Sequence, residues 1–320
     1  MTAGTRVLIA VDIGGTTIKA GLYPEDGPAL ALLGAPTFLE GTPSDPPGDR
    51  AVAAVLAVVG ELAELAARDG HVLVGIGVCS PGVVDSGSGV VVLAVNLGWA
   101  DVPIAALLRD RFGVPVALDH DARAASLAER RARSLRGRDA DDFVFIPIGT
   151  GVSATVVSGG AVLTGAGGAA GEFGHVPVVP GGERCSCGQR GCVEVYASAS
   201  NILRRYREAG GAHAADTPGV VERIETDEIA ALVWHQAVSA LATGIVMLTA
   251  VLDPTAVVLG GGLSEAGDRL LAPVRRSVAD LLTWRPPPAV ERSLVGPAAA
   301  LAGAALLAGT AARSPLEQET

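Results

Sequence analysis

Two stretches of the same kind stand far apart in this chain: an apolar run, a turn of glycine and threonine, and a second apolar run. The first passes from Val7–Val11 through Asp12-Ile13-Gly14-Gly15-Thr16-Thr17 into Ile18–Tyr23. The second passes from Phe143–Ile148 through Gly149-Thr150-Gly151 into Val152–Val157. Recurrence of one strand–turn–strand unit points to a duplicated architecture rather than coincidence. Neither turn is a Walker loop, which needs Gly-Lys-Ser/Thr opening a helix, and no such motif occurs in the chain. The N–H groups of Gly14 to Thr17, with the threonine hydroxyls, suit an anion-binding nest. Taken alone, the first turn also reads simply as the tip of a hairpin.

Around these hairpins the pattern alternates between strand and helix. Apolar residues at spacings of three and four predict a helix over 49–68, with shorter ones over 103–112 and from Asp121 to about 133. Val72–Cys79, Val114–Leu118 and Thr255–Leu259 read as strands. Thr226-Asp227-Glu228 caps a long helical stretch reaching Leu252, and helices are predicted over 201–208, 268–282 and 298–311. Gly260-Gly261-Gly262 follows a strand but lacks the third glycine of the dinucleotide fingerprint, Glu265 standing in its place. What remains is a place where backbone can approach a flat or anionic ligand. Read locally, Asp121 is a helix N-cap.

Three of the four cysteines, Cys185, Cys187 and Cys192, fall within one short segment downstream of His175. One histidine and three cysteines are the ligand set of a closed tetrahedral zinc site. Gly188 and Gly191 allow the tight turns that bring such close sulfurs onto one ion. A Cys185–Cys187 disulfide would be strained across one intervening residue and leaves Cys192 unexplained. A closed zinc site does no chemistry itself, so the flanking Glu172, His175 and Glu194 are the candidate functional groups. Cys79 reads as a small buried hydrophobe.

Composition narrows the class. The net charge is −10 and the pI about 5.0, which argues against a nucleic-acid partner. Four cysteines, three of them assigned to a metal, suit a reducing compartment. The apolar run Val7–Val11 is too short for a signal peptide and ends at Asp12, so a cytoplasmic protein is expected. The best membrane candidate, Leu294–Gly309, is broken by Pro297 and is expected to be a buried helix, leaving no membrane partner.

Asp12-Ile-Gly-Gly-Thr, Gly149-Thr-Gly, Glu172-x-x-Gly-His175 and Cys185-x-Cys-Gly-x-x-Gly-Cys192-x-Glu194 occur in this order. Order and spacing resemble the ROK family of bacterial sugar kinases and related repressors over nearly the whole chain. The resemblance implies an α/β, actin-like, hexokinase-type duplicated fold of two domains with an interdomain cleft. Its domains would be 1–119, joined by the C-terminal helix at about 298–312, and 120–297, carrying the zinc motif at 172–194. It implies ATP and Mg²⁺ at Asp12, Gly14, Gly15, Thr16 and Thr17, with Gly149, Thr150 and Gly151 as the second phosphate loop. Gly260, Gly261 and Gly262 would lie against the nucleoside.

By the same resemblance Asp121 is the general base, and Gly82, Asn96, His120, Asp121, Glu172, His175 and Glu194 bind a hexose. His175, Cys185, Cys187 and Cys192 would hold a structural Zn²⁺, the second ring nitrogen of His175 facing the sugar. The implied activity is an ATP-dependent hexose kinase, foremost a glucokinase, in a homodimer or homotetramer. N-acetylhexosamine kinase and fructokinase are the alternatives within the class, and a catalytically inactive sugar sensor is the alternative outside it. Two departures stand out: His120-Asp121-Ala122-Arg123 replaces the family's Asn-Asp-Ala-Asn, and Ser153 and Ala154 replace glycines after the second turn.

Overall fold

The computed structural model of the protein describes residues 4–38 and 46–313. It divides into two compact units, Met1–Ala128 with Ala298–Thr320, and Glu129–Pro297. Most of the Pro- and Gly-rich stretch at 41–48 lies outside the described residues.

In the first unit β1 (Arg6–Ile13) and β2 (Thr17–Pro24) form an antiparallel hairpin closed at Ile13↔Ile18. β3 (Ala31–Pro36) pairs with β2, and α1 (Pro47–Arg68) then leads to β4 (Val72–Ser80), parallel to β1. The short strands β5 (Val83–Asp85), β6 (Val90–Ala94) and β7 (Trp99–Val102) form a separate antiparallel sheet. After α2 (Ile104–Phe112), β8 (Val116–His120) joins β4 in parallel, giving the order β3-β2-β1-β4-β8. α3 (Asp121–Leu135) follows without a loop and crosses the division between the units.

Residues 7–11 are all buried, as expected of a central strand covered on both faces, while the edge strand β3 buries none of its residues. α1 turns Val55, Val58, Val59 and Leu62 into this core, the stripe its spacing predicts.

The second unit repeats the plan. β9 (Phe143–Pro147) and β10 (Thr155–Ser158) are antiparallel, and β11 (Ala161–Val162) extends β10. Helices α4 (Val193–Ala197), α5 (Ala199–Glu208), α6 (Thr217–Glu222) and α7 (Glu228–Leu252) precede β12 (Ala256–Gly260). α8 (Asp268–Leu281) and β13 (Ala289–Arg292) complete it, in the order β11-β10-β9-β12-β13. In both sheets an antiparallel hairpin supplies the central strand, against which two parallel strands are then laid.

α9 (Ala299–Arg313) belongs to the first unit and lies on β4. A Cβ on Gly77 would collide with the carbonyl of Ala304, and one on Gly303 with that of Ala124. Small residues here let the backbones meet, which explains the alanine-rich composition of α9.

Three local expectations need revising. β10 begins at Thr155 rather than Val152, because Ala154 N–H is drawn to the Gly171 carbonyl at 2.8 Å and Val152 N–H to Glu194 at 2.9 Å. α4, α6, β13 and the small sheet were not legible as elements. Among the described residues, the helix long and apolar enough for a bilayer is α7, capped by Asp227, and not the stretch at 294–309. Just over half of its most apolar window, 56%, is buried in the protein.

Candidate active site

The parallel register of the first sheet brings Asp12 on β1, Cys79 on β4 and Asp119 on β8 side by side, at the carboxyl ends of their strands. Open α/β sheets bind ligands at such ends. The β1–β2 turn is tight: Gly14 N–H donates to the Thr17 carbonyl at 3.0 Å. That N–H is therefore spent inside the turn and is not part of the expected nest. Thr37, fully buried, braces the tip through its hydroxyl to the Gly14 carbonyl at 2.7 Å and its N–H to the Thr16 carbonyl at 3.1 Å. A Cβ on Gly15 would lie 3.0 Å from Asn96 Nδ2, so the glycine admits that carboxamide to the tip. Asn96 sits on the 3-10 turn Val95–Leu97, anchored by buried Leu97 and Trp99.

Asp12 is half-buried, and the Cys79 thiol lies 3.5 Å from its Oδ1. Burial first, and then the charge of Asp121, raise its carboxyl above the ordinary value, partly offset by Lys19 and Cys79. The charge of Asp121 thus reaches Asp12, an arrangement that a divalent cation would relieve.

β8 ends at His120 and α3 starts at Asp121, so the candidate base is the first helical residue. Its Oδ1 accepts the Ala122 N–H at 2.5 Å and lies 3.2 Å from His120 Nδ1. That bond reaches the next residue and not one two or three positions on, as an N-cap's would, and the Asp121 side chain is 38% exposed and open to a ligand. His120 Nδ1 also lies 3.2 Å from Ala122 N, turned back toward the helix start. Arg123 is buried: its Nε donates to Asp119 Oδ1 at 2.5 Å and its Nη2 to the Val84 carbonyl at 3.2 Å. Ser86 Oγ donates to the same Asp119 oxygen at 2.8 Å. The departure at Arg123 therefore ties the start of α3 to β5. Gly82, φ +93°, turns the chain between β4 and β5, where a Cβ would strike the Leu93 carbonyl.

In the second unit, Gly188 and Gly191 adopt φ of +93° and +77°. The ligand atoms of His175, Cys185, Cys187 and Cys192 all lie within 4.8 Å of one another. Cys187 Sγ and Cys192 Sγ are 3.8 Å apart, and His175 Nδ1 and Cys185 Sγ 3.7 Å. Tetrahedral zinc with Zn–S of about 2.3 Å and Zn–N of about 2.0 Å requires edges of about 3.8 and 3.5 Å. The residues fit the ion in type, number and spacing. Hydrogen bonding, led by the Gln189 N–H, lowers the Cys187 thiol to about 7, while burial, ahead of the other thiols, pushes Cys192 up to about 12.

The other ring nitrogen of His175, Nε2, faces Glu172 Oε2 at 3.8 Å. Glu194, the second residue of α4, accepts the Val152 N–H on Oε2 at 2.9 Å, and a Cβ on Gly151 would press on that oxygen. The second glycine–threonine turn and the segment after Cys192 are thereby joined. Gly149 N–H closes this turn onto the Gly151 carbonyl at 2.9 Å.

Beside the turn lies a cavity of about 760 Å³ within the second unit, with Thr150, Ser200, Leu203, Thr217, Gly262 and Arg269 among its lining residues. Of the three consecutive glycines only Gly262 lines it. Gly260 is packed on the Phe145 ring, and Gly261, φ +71°, on the Ile148 carbonyl. Thr37, Ser200, Leu203 and Arg269 escaped the sequence reading, as did the burial and ion pair of Arg123, which it noted only as a departure. Only Arg123 carried a local signal, its i,i+4 spacing from Asp119.

The family model described as ROK family matches residues 8–311. The glucokinase of Thermotoga maritima is 35% identical over 292 residues, 86% of this chain and 88% of the relative. The N-acetylmannosamine kinase of Escherichia fergusonii is 35% identical over 261 residues, 80% of this chain and 84% of the relative. A crystal structure of a ROK family glucokinase from Streptomyces griseus in complex with glucose and AMPPNP superposes with a TM-score of 0.79 at 31% identity, covering 95% of this chain and 99% of that one.

Proposed function

We propose that this chain, which belongs to the ROK family, is an ATP-dependent glucokinase that transfers the γ-phosphoryl group of ATP to the 6-hydroxyl of glucose. Its fold is the actin-like, hexokinase-type duplicated α/β fold, shared with ROK kinases. The observation that carries the reading is the placement of Asp121 at the head of α3, its charge felt by Asp12 at the end of the first hairpin.

Phosphoryl transfer asks a protein for alignment and charge stabilisation more than for covalent chemistry. Asp121 accepts the proton of the sugar hydroxyl as its oxygen attacks the γ-phosphorus, and ADP departs on the opposite side. Gly15, Thr16 and Thr17 of the first turn and Gly149, Thr150 and Gly151 of the second approach the phosphates with backbone and hydroxyl groups. The cavity beside Gly262 takes the nucleoside. Bound near Asp12, Mg²⁺ would neutralise phosphate charge. The family resemblance assigns Asn96, His120, Glu172, His175 and Glu194 as partners for sugar hydroxyls. Zn²⁺ on His175, Cys185, Cys187 and Cys192 would fix the directions of these second-unit groups.

The test is sugar-phosphate formation over a panel of glucose, mannose, fructose, N-acetylglucosamine and N-acetylmannosamine, with ATP or polyphosphate as donor. Turnover strongest with N-acetylmannosamine would favour the second reading, for which the similarity to that kinase speaks. No turnover with any sugar would leave a sugar-binding protein. The same reading makes the protein a cytoplasmic homodimer or homotetramer, which light scattering on the purified protein checks.

His120→Asn is expected to tighten glucose binding. The Nδ1 of His120 is engaged at the start of α3, leaving one nitrogen on a rigid ring for a hydroxyl, whereas a carboxamide offers a donor and an acceptor. The gain is one neutral hydrogen bond, about 0.5–1.5 kcal/mol. Equal glucose affinity by calorimetry would assign His120 to the helix start alone.

A further inference from the structure

Glu183 precedes the first cysteine of the metal segment by two positions, yet its side chain reaches α5. Oε2 accepts from Arg204 Nη2 at 2.8 Å and Oε1 from Arg205 Nε at 2.7 Å. Arg205 also donates to Gln236 Oε1 on α7 at 2.6 Å and lies over the Tyr196 ring at 4.6 Å. Its side chain is 9% exposed, so it cannot exchange Glu183 for water without stranding buried donors. The backbone of the segment is tied in as well: Glu183 N–H donates to Tyr196 Oη at 3.0 Å, and Gly191 N–H to the Glu183 carbonyl at 2.9 Å.

The other end of α5 is fastened to the second glycine–threonine turn. Ala199 N–H donates to the Gly149 carbonyl at 2.8 Å, and Ser200 Oγ to the Thr150 carbonyl at 2.5 Å. Ala199 and Ser200 at that end, and Leu203 between the two anchorages, form part of the cavity wall. A helix of ten residues moves as a rigid rod, so its pitch against the cavity depends on both anchors.

We propose that Glu183 is a positioning residue for the nucleotide cavity, linking the His175–Cys185–Cys187–Cys192 cluster to phosphate-donor binding through α5. The proposal rests on the reading of that cavity as the nucleoside site. A metal-ordered segment holds Glu183 in place, Glu183 holds Arg204 and Arg205, and the helix holds its side of the pocket.

Binding of a fluorescent ATP analogue to the full chain tests it, in wild type, Glu183→Gln and Leu203→Trp, before and after zinc chelation. Glu183→Gln is expected to weaken the analogue about five- to fifty-fold, the usual range for coupled sites. KM for ATP should rise with it, while kcat and KM for glucose stay within a few-fold. Chelation should weaken the analogue in wild type but add little in Glu183→Gln, where the link is already cut. Leu203→Trp fills the cavity and should abolish binding. Unchanged affinity in Glu183→Gln beside lost affinity in Leu203→Trp overturns the coupling and leaves the cavity assignment standing. Parallel losses of ATP affinity, glucose affinity and melting temperature in Glu183→Gln would mark a merely structural residue and overturn it too. Undiminished binding in Leu203→Trp removes the cavity assignment and the proposal with it.

Discussion

Asp121→Asn is expected to lower kcat by a factor on the order of 10²–10⁴, the contribution of a positioned general base. The substitution is discriminating because of what it preserves. Asp121 Oδ1 accepts the Ala122 N–H at the start of α3, and the carbonyl oxygen of asparagine can accept the same bond. The helix start, the burial of Ala122 and the Asp119–Arg123 pair beside it should all survive. An amide cannot take the hydroxyl proton, so chemistry fails while structure stays. Glucose affinity by calorimetry and the melting temperature should remain close to wild type. Turnover within a few-fold of wild type at unchanged stability would reduce Asp121 to the capping role that its local sequence suggests.

Zinc removal should have the second-largest effect. Elemental analysis of the purified protein should find about one zinc per chain. Stripping it, or replacing the buried Cys192 by alanine, should lower the melting temperature by several degrees and weaken glucose binding by about tenfold or more, the scale on which loosened metal surroundings act. Backbone bonds already tie the segment, among them Val178 N–H to the Gly191 carbonyl at 2.8 Å, Gly191 N–H to that of Glu183 at 2.9 Å, Cys185 N–H to that of Gln189 at 2.8 Å, and Val193 N–H to that of Val176 at 3.0 Å. Four ligands closing on one ion would add a cross-link to these bonds. On the proposed reading His175 would itself be a ligand, and Glu194 lies two residues past Cys192, so both would lose their bearings when the ion goes. A metal-free preparation that phosphorylates glucose at full rate would refute the assignment.

Both hairpins and the clustering of His175 with the three cysteines were legible from residues alone, because each is a short-range property. Gly14 closes a turn between two apolar runs whatever surrounds it, and three cysteines on an eight-residue loop with two positive-φ glycines have few ways to be arranged. The long helix α7 was legible for the same reason, its Asp227 cap and apolar length being local. Proximity of Asp12 to Asp121 belongs to another class. It arises because β1 and β8 flank β4 in one sheet, a register fixed by hydrogen bonds between strands remote in sequence.

The same holds for the residues that sequence reading passed over. Leu203, Thr217 and Arg269 are unremarked types at unremarked positions, and join Gly262 in one cavity only when α5, α6, α8 and the Gly262 turn converge. Arg123 could have been a solvated helix residue, but packing buries it against Asp119 and the Val84 carbonyl. Gly260 reads as a ligand-facing glycine until the Phe145 ring is placed against it. Backbone conformation, capping and ligand count are settled by energies acting over a few residues, and the chain states them openly. Which side chains share a pocket, and which polar group is sealed from water, depends on contacts between distant segments, so those answers came with the tertiary structure.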